Sequence, residues 1–338
     1  MRAVTTFAAL PFVLSILAAP VATEDVRLTW KFREGDVMRY RMVQEMEQAV
    51  TGPGEFETKS NVSQVLKQTV KSVSADGIAA IECTWEALRF HMNVPMGGDV
   101  DFDSTHGDTE SNVSGPLKGL IKLVGSTFRM EMKPNGEIVS IHGIAEVMEA
   151  VFSGDDPETQ PMRTMMSQMF TDESMKRMME ASVLPEQALA IGDTWTRDIE
   201  VPMGPIGKVK VHSDYALDSV GTTRGVRCAK VAVKQTMSLA DGKPDFSAMP
   251  FAEQFDIFMT IDDSKGEGAL YYAIERGGLA EFDLDSHTEM SMKMAPKGDA
   301  ESNMPDLKMN IEMDMKISMV LLGPEEPAFE PEKKDEKR

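Results

Sequence analysis

Leu307-Lys308-Met309-Asn310-Ile311-Glu312-Met313-Asp314-Met315-Lys316-Ile317-Ser318-Met319-Val320-Leu321 decides the fold. Apolar and polar residues alternate along it almost without error. Successive strand side chains point to opposite faces, so the stretch predicts one long, half-buried β-strand with a methionine-rich inner face. Leu279, Phe282, Leu284, Met290, Met292 and Met294 outline its partner, joined through the Pro/Gly/Asp-rich residues 295–306. A strand of this length far exceeds the usual ~5–6 residues, and such strands belong to strongly curved sheets and barrels.

The same texture extends outward. Gly35-Asp36-Val37 opens a strand with Met38, Tyr40, Met42 and Met46 on one face, and Gly192-Asp193-Thr194 opens another with Trp195, Ile199, Val201 and Met203. Later turn passages also match, Ser72-Val73 before Gly77-Ile78 and Ser219-Val220 before Gly225-Val226. These matches read either as an internal duplication of an antiparallel unit or as chance likeness between two hairpins. Val209, Val211, Tyr215 and Leu217 alternate with polar residues, whereas residues 60–74 fit a helical period as well as a strand. Their place opposite 208–217 in the repeat favours a strand. Ile81, Cys83 and Trp85 share one parity and Leu88, Phe90 and Met92 the other, which predicts a β-bulge near Ala87. Lys133-Pro134-Asn135-Gly136 turns a hairpin between 128–132 and 138–141.

Helical spacing concentrates in the middle. Ile144, Val147, Met148, Val151 and Phe152 form one stripe, Met162, Met165, Met166 and Met169 a second, and Met175, Met178 and Met179 a third behind Thr171 or Asp172 as cap. A short helix is expected around Leu117–Val124. The class is therefore α+β, mainly antiparallel β: a large, strongly curved sheet or half-barrel, with a cluster of helices on the concave side. The expected units are a signal peptide at 1–22, a β-rich unit at 23–182 ending in a helical segment (143–182), a second β-rich unit at 183–322, and a disordered charged tail at 323–338.

Arg2, the apolar run from Phe7 to Ala19, and small residues at Ala18, Ala19 and Ala22 compose an export signal. The run is too short to span a bilayer, which takes roughly 20 residues. The expected product is exported, periplasmic or extracellular, with no transmembrane segment once the signal is removed. The formal net charge of −20 opposes binding to nucleic acid. Cys83 and Cys228 fit a disulfide or two buried thiols equally well, and their spacing matches no metal motif.

Catalytic constellations are thin. The 5 histidines are scattered, and no nucleophile elbow, phosphate loop or paired-cysteine motif occurs. A non-enzymatic protein without a cofactor is expected. Asp99, Asp101, Asp103 and Glu110 occupy positions 1, 3, 5 and 12 of a calcium-loop spacing, the carboxylate positions of such a site. Ser104 stands where that loop needs glycine, and a plain acidic loop is the competing reading. Met290, Met292, Met294, Met313 and Met315 present thioethers, soft ligands for Cu(I), near His287. Hydrophobic packing accounts for them better, since a β core must be apolar at those positions anyway. Together with Met162, Met165, Met166 and Met169 they would line either a solid core or a cavity for an apolar molecule.

Trp30-Lys31-Phe32-Arg33-Glu34-Gly35-Asp36-Val37-Met38-Arg39-Tyr40, the Gly136-Glu137-Ile138-Val139 hairpin leading into Gly143, and the closing alternating strands resemble an uncharacterised family of exported bacterial β-rich proteins, a domain of unknown function. The family carries no established activity, so the resemblance transfers no functional residue. In architecture alone, the expected sheet around helices is similar to bacterial lipoprotein carriers and lipid-binding envelope proteins. Two functional expectations follow. One is an apolar ligand or lipid held by the Met-lined sheet. The other is a solid-core structural or protein-interaction module of the cell envelope, with calcium binding as a further alternative.

Overall fold

A computed structural model of the protein describes residues 25–94, 98–106, 113, 115–152, 170–180, 183–202, 207–240, 254–297 and 306–330. Its strands are β1 (Val37–Thr51), β2 (Phe56–Val73), β3 (Ala79–Val94), β4 (Gly98–Asp103), β5 (Thr127–Met132) and β6 (Ile138–His142) in the first half. The second half supplies β7 (Thr194–Pro202), β8 (Lys208–Thr223), β9 (Val226–Leu239), β10 (Phe255–Ala273), β11 (Gly278–Pro296) and β12 (Leu307–Leu321). All belong to one open, curved, antiparallel sheet of order β6-β5-β3-β2-β1-β12-β11-β10-β9-β8-β7, with β4 beside the far half of β3. The chain starts in the middle, works out to one edge, crosses to the other, and meanders back until β12 pairs with β1.

The quoted stretch is β12, paired in register with β11 on one side and β1 on the other. Residues 60–74 are strand, as their place in the repeat predicts. The bulge falls where the parity slips: Val65 pairs Ala87 but Leu66 pairs Trp85, which leaves Glu86 extra. The Asn135-Gly136 turn closes through Gly136 N donating to Lys133 O, and Gly136 takes φ 86°, a conformation that favours glycine.

The duplication is present in hydrogen bonds. Gly35 N donates to Val70 O and Val70 N to Asp36 O; Gly192 N donates to Leu217 O and Leu217 N to Asp193 O. Each aspartate carboxylate also accepts the N–H three residues upstream, Arg33 in one unit and Ala190 in the other. Register slips recur in step, between Val70 and Ser72 and between Leu217 and Ser219. A further matching pair lies between Glu131 and Met132 and between Tyr271 and Tyr272. β1-β2-β3-β5-β6 thus corresponds to β7-β8-β9-β10-β11. Buried residues coincide as well: Val70 with Leu217, Ala79 with Ala229, Ile81 with Val231.

Helices are few. Residues Gly115–Leu123 form a 3-10 stretch in place of the expected α-helix. α1 (Ile144–Val151) buries Ile144, Val147, Met148 and Val151 against β5, β3 and β1. α2 (Asp172–Met179) begins at Thr171, whose hydroxyl accepts from Ser174 N at 3.0 Å. The neighbouring Asp172 carboxylate accepts from Ile144 N at 3.1 Å and so caps α1. α2 touches both sheet edges, β6 and β7. The Met162–Met169 stripe lies outside the described residues.

Two cores follow from this arrangement. One joins α1 and partners from α2 to the inner faces of β1, β2, β3, β5 and β6. The other sets Val26, Leu28, Leu184 and Leu189 on Tyr215, Leu217, Val231 and Tyr272. Trp30 packs on both, stacked on Phe32 and edge-on to Tyr272. Its N–H donates to Pro134 O and that of Lys31 to Gly277 O, so the N-terminal segment ties the two equivalent hairpin turns together. Cys83 and Cys228 are free, buried thiols, and burial pushes Cys83 up to about 12. The tail corrects its composition: residues 323–330 pack on the outer face of the sheet, with Phe329 buried against Val65 and Ala87. One aromatic side chain and local arginines outweigh the few apolar residues that suggested disorder; residues 331–338 lie outside the described residues.

Candidate functional site

Across β10, β11, β12 and β1 the inner face can be followed in rows. Towards the core, Leu270, Phe282, Met319 and Met42 line up, then Gly268, Leu284, Ile317 and Gln44. Further out come Gly266, Ser286, Met315 and Met46, followed by Ser264, Thr288, Met313 and Gln48. The outermost rows are Ile261, Met290, Ile311 and Val50, then Met259, Met292 and Met309, then Ile257, Met294 and Leu307. Residues on the opposite parity, such as Lys308, Asn310, Glu312 and Asp314, are exposed.

A polar belt crosses this face between the core and the outer rows. Gln235 Nε2 donates to Ser213 Oγ at 3.2 Å, Ser264 pairs with Thr288, and Gln44 Nε2 donates to Met315 Sδ at 3.4 Å. Farther round, Trp85 Nε1 donates to Gln64 Oε1 at 2.9 Å. Ser213 and Thr288 are buried, so these hydroxyls need the partners they have. Arg197 on β7 supplies a cation at the end of the belt, its Nε donating to Val183 O.

Beyond the belt the face is apolar and half-open. Met259 is buried against Leu239, Ile257 and Met292. Ile257, Ile261, Met290, Met292, Met294, Leu307, Met309, Ile311 and Met313 are only half-buried, although they sit on the side of the sheet that elsewhere forms the core. Single exposed apolar residues are ordinary, but a contiguous face shared by three strands marks a surface that a ligand or partner can cover. Covering it fully gains about 1 kcal/mol for each half-buried side chain before association costs are subtracted. Methionine suits such a face because its unbranched thioether adapts to varied shapes.

The structure therefore brings Met290, Met292, Met294, Met313 and Met315 together on one surface. It adds Ile257, Met259, Ile261, Met309 and Ile311, which the site reading passed over. Their signal was visible as alternation at 255–261, broken by the exposed Phe258. His287 is not a neighbour of these thioethers. It projects from the opposite face of β11, where Nδ1 pairs with Asp314 at 2.8 Å and Nε2 with Glu289 at 3.3 Å. These bonds raise its pKa, the Asp314 bond most.

The calcium spacing meets a different geometry. Asp99, Asp101 and Asp103 stand on β4, an extended strand paired with β3, so no helix–loop–helix turn wraps them. Each carboxylate is engaged across the ladder: Asp99 by Asn93 Nδ2, Asp101 by His91 Nδ1 and Asp103 by Arg89 Nε at 2.6 Å. Strand spacing sets them about 6.6 Å apart along one face, too far to converge on one ion. Burial pushes the Asp103 carboxyl up, but hydrogen bonds from Thr105, Arg89 and His106 outweigh it and hold it at about 2. Glu110 lies outside the described residues. Among the described residues no group of three or more His, Cys, Asp or Glu side chains could hold a metal ion, and no helix is long and apolar enough to cross a membrane. An open depression of about 680 Å³ on the outer face is lined mainly by charged residues, among them Glu45, Glu47, Lys265, Glu267, Asp285 and His287.

A family profile described as a family of unknown function, DUF6263, matches residues 76–267. No curated protein sequence matches the chain. Among solved structures it is similar to lipovitellin, in a study of lipid–protein interactions, at 15% identity over 89% of this chain and 26% of that one, with a TM-score of 0.38. It spans about a quarter of the lipovitellin chain. DynF, from the dynemicin biosynthesis pathway of Micromonospora chersina, aligns at 8% identity over 96% of this chain and 94% of its own, with a TM-score of 0.18. OccK2 (OpdF) of Pseudomonas aeruginosa, in complex with glucuronate, aligns at 6% identity over 89% and 100%, also at 0.18. Superpositions this loose carry no inference about ligand or activity.

Proposed function

The chain belongs to DUF6263, a family of unknown function, and from its own geometry we propose that it is an exported, non-enzymatic protein that binds a lipid or other apolar ligand on the methionine-lined face of β10–β12. The observation that carries this reading is the contrast in cover along one continuous face. Below the polar belt the inner side chains are packed under α1, α2 and the N-terminal segment. Above it the same face keeps its apolar residues half-open.

The chemistry of the surface suits binding and not turnover. Thioether and aliphatic side chains supply dispersion and water exclusion, and they offer no nucleophile or general base. From the Thr288 row to the Met294 row the face runs about 20 Å at ~3.3 Å per residue, a length suited to an extended acyl chain. The belt of Ser213, Gln235, Ser264 and Thr288 gives a polar end to such a molecule.

The test is native mass spectrometry of gently purified protein, followed by titration of the stripped protein with a fluorescent long-chain fatty acid. A co-purifying apolar mass and saturable uptake, weakened at least about tenfold by Met292→Asp, is the expected result. A clean apo mass together with no uptake overturns the reading.

A further inference from the structure

On the opposite face of the sheet, the segment after β12 lies in a groove whose construction matches its chemistry. Leu322 N donates to Arg39 O at 2.8 Å, and Glu326 closes a small turn through the Gly323 N–H. Phe329 then drops onto Val65 and Ala87, with the Arg89 guanidinium 4.7 Å from its ring centroid. Arg39 Nη1 donates to Glu326 O at 2.9 Å and Arg89 Nη1 to Glu330 O at 3.3 Å. Arg224 pairs with the Glu326 carboxylate at 2.6 Å and Arg41 with that of Glu330 at 3.6 Å.

Four arginines converging on nine residues is unexpected in a chain of net charge −20. Arg39 and Arg89 already hold Glu86 and Asp103, and they spend their remaining donors on main-chain carbonyls of the segment. Carbonyl capture holds the backbone of the segment whatever its sequence. The Val65–Ala87 floor selects one aromatic side chain, and Arg224 and Arg41 select acids three residues before it and one after. The segment adds no strand to the sheet and is joined to it through Leu321, so it sits as a tethered ligand.

We propose that this outer-face groove is a peptide-docking site for an acidic segment of the pattern Glu-Pro-Ala-Phe-Glu, with residues 322–330 as its resident, displaceable occupant. Tethering gives the resident a local concentration in the mM range, so a free peptide competes only when the resident is released. The site is separate from the methionine face, and its failure would leave the ligand reading untouched.

The experiment uses full-length chain carrying Glu326→Ala and Phe329→Ala, changes confined to the segment outside the strands. A fluorescent peptide reproducing residues 322–330 is titrated into this variant and into wild type by anisotropy. The expected result is at least about tenfold tighter binding to the variant, because the tethered competitor is gone. Affinity falls at high salt, and a peptide carrying Phe329→Ala loses it. Limited proteolysis reports release directly, with cleavage at 322–330 in the variant and protection in wild type. A variant that keeps the wild-type circular dichroism yet binds no peptide overturns the proposal, as does a segment still protected from protease. Binding to vesicles of phosphatidylcholine with phosphatidylglycerol, without binding to peptide, also overturns it and makes the arginine patch a lipid surface.

Discussion

The hairpins β5–β6 and β10–β11 occupy the same place in the two halves of the molecule and share a register slip, yet one has strands of 6 and 5 residues and the other strands of 19. They part at one position. In the first half Phe128 lies against Gly143, whose φ of 99° ends β6 and caps α1. In the second, by the same register, Gly268 faces Leu284 and the strands run on. Gly268 has no room for a side chain, since a Cβ there would stand 2.1 Å from Asp283 O. The large and small residues have changed places, and with them the fate of the chain. The short hairpin hands over to helices that cover its core, whereas the long one carries its apolar face past everything described that could cover it. The comparison separates residues that hold the fold from residues held ready for something else.

The largest effects belong to the shared part. Leu217→Ala and its counterpart Val70→Ala empty fully buried sites; the leucine change should cost about 2–5 kcal/mol in urea unfolding and the smaller valine change somewhat less. A loss confined to one half would break the equivalence of the two units. Next comes Gly268→Ala, which drives a methyl group into the β11 backbone and should cost about 1–3 kcal/mol. In the extension itself Met292→Ala should cost less than about 1 kcal/mol, because the side chain is already half in water, while still weakening ligand uptake. An equal loss of stability at Met292 and Leu217 would mean that the outer face is core after all.

Titration gives the smallest effects and sharpens the comparison at the sheet ends. Asp103 belongs to β4, which has no counterpart among the described residues of the second half. Its pKa is lowered from 3.8 to about 2, so its stabilisation is complete above 3.8 and is lost as pH falls between those values. Asp103→Asn should flatten the acid limb of the unfolding curve. His91 with Asp101 and His212 with Asp198 sit near opposite ends of the sheet, and hydrogen bonds to those aspartates raise both histidine pKa values. Their contribution is present below the ordinary value near 6.5 and fades as pH rises through the raised values. Melting temperature measured across that window should fall slightly, and substituting both histidines by glutamine should remove the slope.

Much of this was legible in the residues. Alternation located β12 and its partner, parity placed the bulge near Ala87, one residue from the extra Glu86, and Gly-Asp pairs marked the opening of both units. Other features depend on three-dimensional meetings that local sequence does not encode. Alternation at 307–321 says which side chains share a face, but not that α1 and α2 stop short of its outer rows. The acidic spacing at 99–110 looks the same whether its first residues wrap an ion or pair with Asn93, His91 and Arg89 across a ladder. The tail reads as solvated until Phe329 is seen to have a floor, because Val65, Ala87, Arg89 and Arg224 come from distant parts of the chain.

The central claim is that the open face of β10–β12, and not the buried core beneath α1, is where a ligand goes. Protein labelled at the methionine methyl carbons and titrated with a long-chain fatty acid tests it directly by NMR. The account predicts saturable shifts for Met290, Met292, Met294, Met309 and Met313, with Met130 and Met132 of the short hairpin unmoved. Shifts confined to the core methionines, or no shift at any of them, would contradict it.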